Sequence, residues 1–230
     1  MTNGGDVTVS GILSATAASH LVAKLNKAKN IVAARAMLHG YAYVGNDLQD
    51  IYGIDPRTIG EATQLADSYF ADGSARMALA KLSNQPDGVL VSDETVSDFQ
   101  LNKGDALNLR LKGARDGVLV PFRFVGVVRE FPTAPKDSFL VANSIYLASK
   151  AESGLEWMIL IRCNGDPSLV AREVKQLVSP VVGAKVSDIA AAQRQISSSL
   201  AAIDLKGLTL LELSFAVVFV VAGSLAVIKK

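Results

Sequence analysis

Trp157-Met-Ile-Leu-Ile-Arg-Cys-Asn-Gly-Asp-Pro-Ser168 is the stretch that decides the fold. Trp157 to Arg162 is a short apolar run of strand length, Asn164 to Pro167 has turn chemistry, and Ser168 to Leu177 continues at helical spacing. Asp166 or Ser168 can cap that helix. Pro167 suits its first turn, where a fixed φ helps and no N–H is needed. Val181 to Ser187 then supplies a second strand, so the order is β-α-β.

A unit of the same order lies far upstream. Val7-Thr-Val-Ser10 is a β-branched run, and Ser14 to Lys27 repeats Ala18, Leu21, Val22 and Leu25 at helical spacing. Ile31 to Val44 reads as a long strand with a bend near Gly40. Two β-α-β units so far apart can pair into one four-stranded sheet backed by two helices. The expected fold class is therefore α+β: a split, ferredoxin-like subdomain from residues 1–45 and 155–190, with a β-rich subdomain inserted at 46–145. Strand signals in the insertion fall at Gly88–Val91, Ala106–Leu111 and Val118–Arg129, and Ser92 caps a short helix from Asp93 to Phe99.

Leu208 to Ile228 differs in kind. About 21 residues carry Glu212 as their single charge and span roughly 30 Å as a helix, the thickness of a bilayer's hydrocarbon core. We read residues 208–228 as a transmembrane helix and 187–207 as a helical stalk leading into it, with Gly207 the one break. Lys229 and Lys230 favour the cytoplasmic side, which places the residues before about 207 outside the cytoplasm. Met1 to Asp6 contains neither a basic nor an apolar export signal, so an earlier membrane segment of a longer polypeptide is expected to handle insertion.

Composition narrows the function classes. With 23 basic against 22 acidic residues, no field gathers nucleic acid. Cys163 is the single cysteine, which excludes an internal disulfide framework and a thiolate zinc cluster. No Gly-x-x-x-x-Gly-Lys-Ser/Thr phosphate loop occurs, so any ATP-driven step belongs to another protein.

Three motifs carry a family likeness: Gly88-Val-Leu-Val-Ser92, Leu101-Asn-Lys-Gly-Asp-Ala106 and Phe122-Arg-Phe-Val-Gly-Val-Val128. Followed by a stem and a membrane helix, they resemble the extracytoplasmic core of FtsX-like, macrolide-exporter-type ABC transporter permeases. The resemblance implies a permease subunit in a bacterial cell membrane, with a large outer domain after its first membrane helix and three more helices behind it. Only the large domain and the second helix are present in this sequence. It further implies a cytoplasmic ATP-binding subunit as partner and a second permease subunit.

Individual residues add no catalytic set. His20 is read on a solvated helix face and His39 on a strand flank; neither sits in a His-Glu-x-x-His pattern. Asp47, Asp50 and Asp55 offer carboxylates for acid–base work or calcium, but their spacing fits a polar crossover between subdomains better. Cys163 is read as a small buried thiol, Tyr41, Tyr43, Tyr52 and Tyr69 as packing residues, and Glu212 as either an interhelical contact or a headgroup-reaching carboxylate. The expectation is no enzyme, no catalytic residue, no cofactor and no metal. The leading function is coupling of ATP-driven helix motion to substrate export or lipoprotein release. The alternative is an outer regulatory module that activates a partner such as a cell-wall hydrolase.

Overall fold

The computed structural model describes residues 5–112, 119–151 and 153–188, all within the first of two units, Met1–Ile189. The second unit, Ala190–Lys230, contains the expected membrane helix, Glu212 and most of the expected stalk, which therefore lie outside the described residues. Among the described residues, no helix is long and apolar enough to cross a membrane.

The chain runs β1 (Val7–Ile12), α1 (Ala15–Leu25), β2 (Ile31–Val44), β3 (Asp47–Ile54), α2 (Ile59–Ala62), α3 (Ala75–Asn84), β4 (Gly88–Ser92) and α4 (Asp93–Asp98). It continues with β5 (Ala106–Leu111), β6 (Val120–Val128), β7 (Phe139–Asn143), α5 (Ser144–Lys150), β8 (Glu156–Cys163), α6 (Pro167–Val178) and β9 (Lys185–Asp188). A 3-10 turn at Asp67–Tyr69 precedes α3. The nine strands of the described residues form one sheet, in the order β3-β7-β4-β6-β5-β2-β8-β1-β9.

At one end, β2-β8-β1-β9 is antiparallel throughout, the expected split β-α-β arrangement. Local chemistry sets its helices. Ser14 accepts a hydrogen bond from the Ala17 N–H and starts α1, while Asp166 accepts from the Ser168 N–H at 2.8 Å and Pro167 opens α6. Both helices lay a buried stripe on the same sheet face: Leu21 and Leu25 from α1, Val170 and Val174 from α6, against Val7, Val9, Ile159 and Ile161. The outer edge of β2 is covered by Asn26, whose side chain accepts from the Ala34 N–H at 2.8 Å and donates to the Ala34 carbonyl at 3.2 Å.

β2 belongs to both halves of the sheet. Residues Ile31 to His39 pair with β8, and residues Leu38 to Val44 pair with β3 on the other edge, where β5 replaces β8 as the opposite neighbour. Because β3 pairs with β2 as well as β7, the strands β2-β3-β7-β4-β6-β5 close into a ring of six. Its interior is filled by side chains, among them Val89, Val91, Leu109, Phe122, Phe124 and Leu140. The outside carries another core, where Met37, Tyr52, Phe131, Phe139 and Leu160 pack with residues of α2 and α3.

Two local expectations are corrected. Asp47–Ile54 is a strand, not a crossover: Val44 pairs with Asp47 across the two-residue loop Gly45-Asn46, and Gly45 takes the left-handed φ of +60° that such loops favour. The stalk does not start at Ser187, since Ser187 and Asp188 are the last residues of β9, paired with Thr8 and Val7. That strand begins at Lys185 instead of Val181, because the chain first turns through Gly183 at φ +84°.

Candidate functional site

The sequence-nominated residues do not converge. His20 is exposed on α1, and Asp47 is exposed at the start of β3. Asp47 and Asp55, at opposite ends of an extended segment, lie roughly 25 Å apart, and among the described residues no acidic, His or Cys cluster can hold a metal ion. Asp55 instead organises its own turn. Burial pulls its carboxyl up, but the Arg57 N–H at 3.1 Å, the Arg57 side chain and the Thr58 hydroxyl at 3.2 Å outweigh that and hold it below the usual carboxylate range.

His39 and Asp50 do meet. The His39 Nε2 lies 2.6 Å from Asp50 Oδ1 across the β2–β3 hairpin, and the imidazole stacks on Tyr52 with ring centres 5.0 Å apart. Tyr41 packs edge-on to it at 5.2 Å. Tyr52 is buried, donates to the Thr133 carbonyl at 3.3 Å, and has its phenol pushed up by that burial and then by Asp50. The pair joins the two strands of the hairpin, and among the described residues no hydroxyl or thiol is hydrogen-bonded to His39. Cys163 is half-buried at the end of β8. Desolvation, followed by the nearby Asp6 carboxylate, pushes its thiol up to about 11, the opposite of an activated nucleophile.

A concavity lies elsewhere among the described residues, between α2 and α3. Asp55 and the Arg57 turn lead into α2, Asp67 Oδ1 accepts from the Ala75 N–H at 2.8 Å, and Ser74 caps α3, so the connecting loop is tied at both ends. The resulting groove has a volume of about 750 Å³. Leu65, Tyr69 and Leu79 form its apolar wall, and these three side chains also pack onto the outer core. Arg57 and Arg76 are its charged residues, and no carboxylate lines it. Thr63, 4% exposed, lines it too, and its hydroxyl has no hydrogen-bond partner among the described residues. A smaller hollow of about 350 Å³ continues past Pro56 and Arg57 toward Asn143 and Ile145.

Two other features escaped sequence reading. Asp72 binds Lys103 at 2.5 Å and Lys81 at 3.4 Å, joining the loop before α3, α3 itself and the turn before β5. On the outer face of β3-β2-β5, Arg110 lies 4.4 Å over the Tyr43 ring and Lys112 lies 5.3 Å over Tyr41, beside an exposed Leu48. No spacing rule reveals either, because each depends on strand register or on loops distant in sequence.

No protein-family model matches the sequence, and neither does any curated protein. Among solved structures, the chain is similar to the extracellular domain of the noncanonic ABC-type transporter YknZ from Gram-positive bacteria. The identity is 10%, the TM-score 0.47, and the match covers 79% of this chain and 99% of that one. It is also similar to a domain described as that of a permease protein from Porphyromonas gingivalis, at 9% identity and TM-score 0.41, over 78% of this chain and 85% of that one. A protein described as a lipoprotein of Bacillus anthracis matches at 9% identity and TM-score 0.36, over 80% of this chain and 97% of that one.

Proposed function

We propose that the unit described here is the extracytoplasmic domain of an ABC-type permease subunit, and that it relays ATP-driven motion of membrane helices to a substrate outside the cytoplasm. One observation carries the reading. Val7, in the first strand, pairs directly with Asp188, in the last, so the folded unit begins and ends at one point. A domain with adjacent ends can be held as an outer loop of a membrane protein, and the apolar segment 208–228 supplies an anchor of bilayer length. The Leu101–Ala106 and Phe122–Val128 motifs, which resemble FtsX-like permeases, support the same class. The partners in this reading are a cytoplasmic ATP-binding subunit, a second permease subunit and the bilayer of a bacterial cell. No catalytic residue of this chain takes part.

The test is a Gly-Ser insertion at Gly207 in the complete transporter with its ATPase. Transport is expected to fall while ATP hydrolysis continues. Full transport per ATP after the insertion would rule out mechanical relay through this segment.

A second reading, a regulatory module activating an outer partner such as a cell-wall hydrolase, is favoured by the β3-β2-β5 face, where Leu48 is 46% and Tyr41 38% exposed beside Arg110 and Lys112. In that case Tyr41→Ser with Leu48→Ser abolishes partner activation and leaves transport untouched.

A further inference from the structure

We propose that the groove between α2 and α3 binds a small single-chain amphipathic anion, whose carboxylate or phosphate is received by Arg76 and Thr63 and whose apolar part lies along Leu65, Tyr69 and Leu79. The site is independent of the permease reading, since it lies wholly within the folded unit.

Size is the first argument. At about 750 Å³ the groove falls within the range of roughly 300–1,000 Å³ that small-molecule sites occupy, and such sites combine apolar walls with a few polar groups. Leu65, Tyr69 and Leu79 are anchored on the core beneath them, so the apolar wall exists before any ligand arrives.

Charge selects the ligand's head. Arg57 is already compensated by Asp55, its partner at 3.3 Å. Arg76 is exposed on α3 and makes no ion pair or hydrogen bond among the described residues. With no carboxylate in the lining, an incoming cation meets only repulsion, while a carboxylate or phosphate can take a two-pronged bond from the guanidinium. Thr63 adds the polar group that the protein leaves unused. It is more than nine-tenths buried as a residue, lines the groove, and has a hydroxyl with no hydrogen-bond partner among the described residues, so a ligand oxygen in the groove can take that bond.

Gly60 provides a clean obstruction. It lines the groove, and a Cβ built on it meets nothing within 4 Å, so a side chain can start there without a clash and add bulk at the groove wall.

The test uses the full chain in lipid nanodiscs, with empty nanodiscs as background and no ATPase present, so its outcome is separate from that of the transport assay. The probes are octanoate and octyl phosphate, with octylammonium as the cationic control, read by calorimetric titration. Saturable binding of at least one anion is expected, with affinity about tenfold weaker for Arg76→Gln, as for loss of one charge-assisted contact, and abolished by Gly60→Trp. Octylammonium is expected neither to bind saturably nor to compete. Circular dichroism of both variants confirms that they remain folded. The proposal is overturned if neither anion binds saturably, if octylammonium binds equally well, or if folded Arg76→Gln and Gly60→Trp both keep full affinity.

Discussion

Val7 and Asp188 are direct partners across the β1–β9 pair, and Thr8 and Ser187 are the next pair along. The first and last strands of the folded unit are thus neighbours at the edge of the sheet, and β9 is held there by four residue pairs. Cysteines replacing Thr8 and Ser187 sit at a separation that an antiparallel pair and a disulfide share, about 4.5–5.5 Å between Cα atoms. In a Cys163→Ser background, mild oxidation is expected to remove both free thiols without loss of folded protein. Persistence of both thiols in the native state would show that this pair is not formed.

The same edge depends on Gly11. It sits at φ +79°, and an added Cβ would fall 2.5 Å from the Gly183 carbonyl oxygen, in the turn that leads to β9. Gly11→Ala combines a left-handed backbone with a backbone clash, for a cost of about 2–4 kcal/mol. Trp157, paired with Ile12 across β1 and β8, reports unfolding in urea by its fluorescence. Unchanged stability would mean that this turn relaxes freely.

Acid should act on Asp72. Burial raises its carboxyl, but Lys103 and then Lys81 outweigh burial and hold it below its ordinary value. The native carboxyl is therefore the stronger acid. Its stabilising contribution is whole above about pH 4 and is lost as pH falls through the lower native value. Both lysines are substantially exposed, so screening leaves about 1 kcal/mol at neutral pH. Asp72→Asn is expected to lower stability by that amount at pH 7 and to match the parent near pH 2. A constant difference across that range in urea titrations would show that the charge is not responsible.

Cys163 is expected to be sluggish. With the thiol moved from 9.0 to about 11 by burial and the Asp6 carboxylate, the thiolate population near pH 8 falls about a hundredfold relative to the unfolded chain. Alkylation by iodoacetamide should accelerate by a comparable factor on unfolding in urea. Equal rates in both states would contradict the burial and the charge that surround the sulfur.

Legibility in the sequence follows locality. Ser14, Asp166 and Pro167 cap their helices through residues next to them in the chain, Val7 and Val9 alternate with polar residues in β1, and β8 is a continuous apolar run of strand length, so the split β-α-β unit can be read directly. The β2–β3 hairpin was hidden by Gln49, a polar residue that points inward and accepts from the Thr95 hydroxyl at 2.9 Å, breaking the alternation. Helix α3 buries mainly Ala75, Ala78 and Leu82, too little apolar bulk for a clear stripe. The His39–Asp50 pair depends on hairpin register, and the groove draws Arg57 from the turn before α2, Thr63 from the residue after it and Arg76 from α3. Neither arrangement has a fixed spacing that a sequence could display.

The central claim, that the folded unit lies outside the cytoplasm, is tested most directly by thiol labelling of the full-length protein in intact bacterial cells made permeable only at any outer layer. A single cysteine replaces the exposed Ser187 in a Cys163→Ser background, and a membrane-impermeant maleimide is applied before and after lysis. The account predicts full labelling before lysis. Labelling that appears only after the cytoplasmic membrane is broken would contradict it.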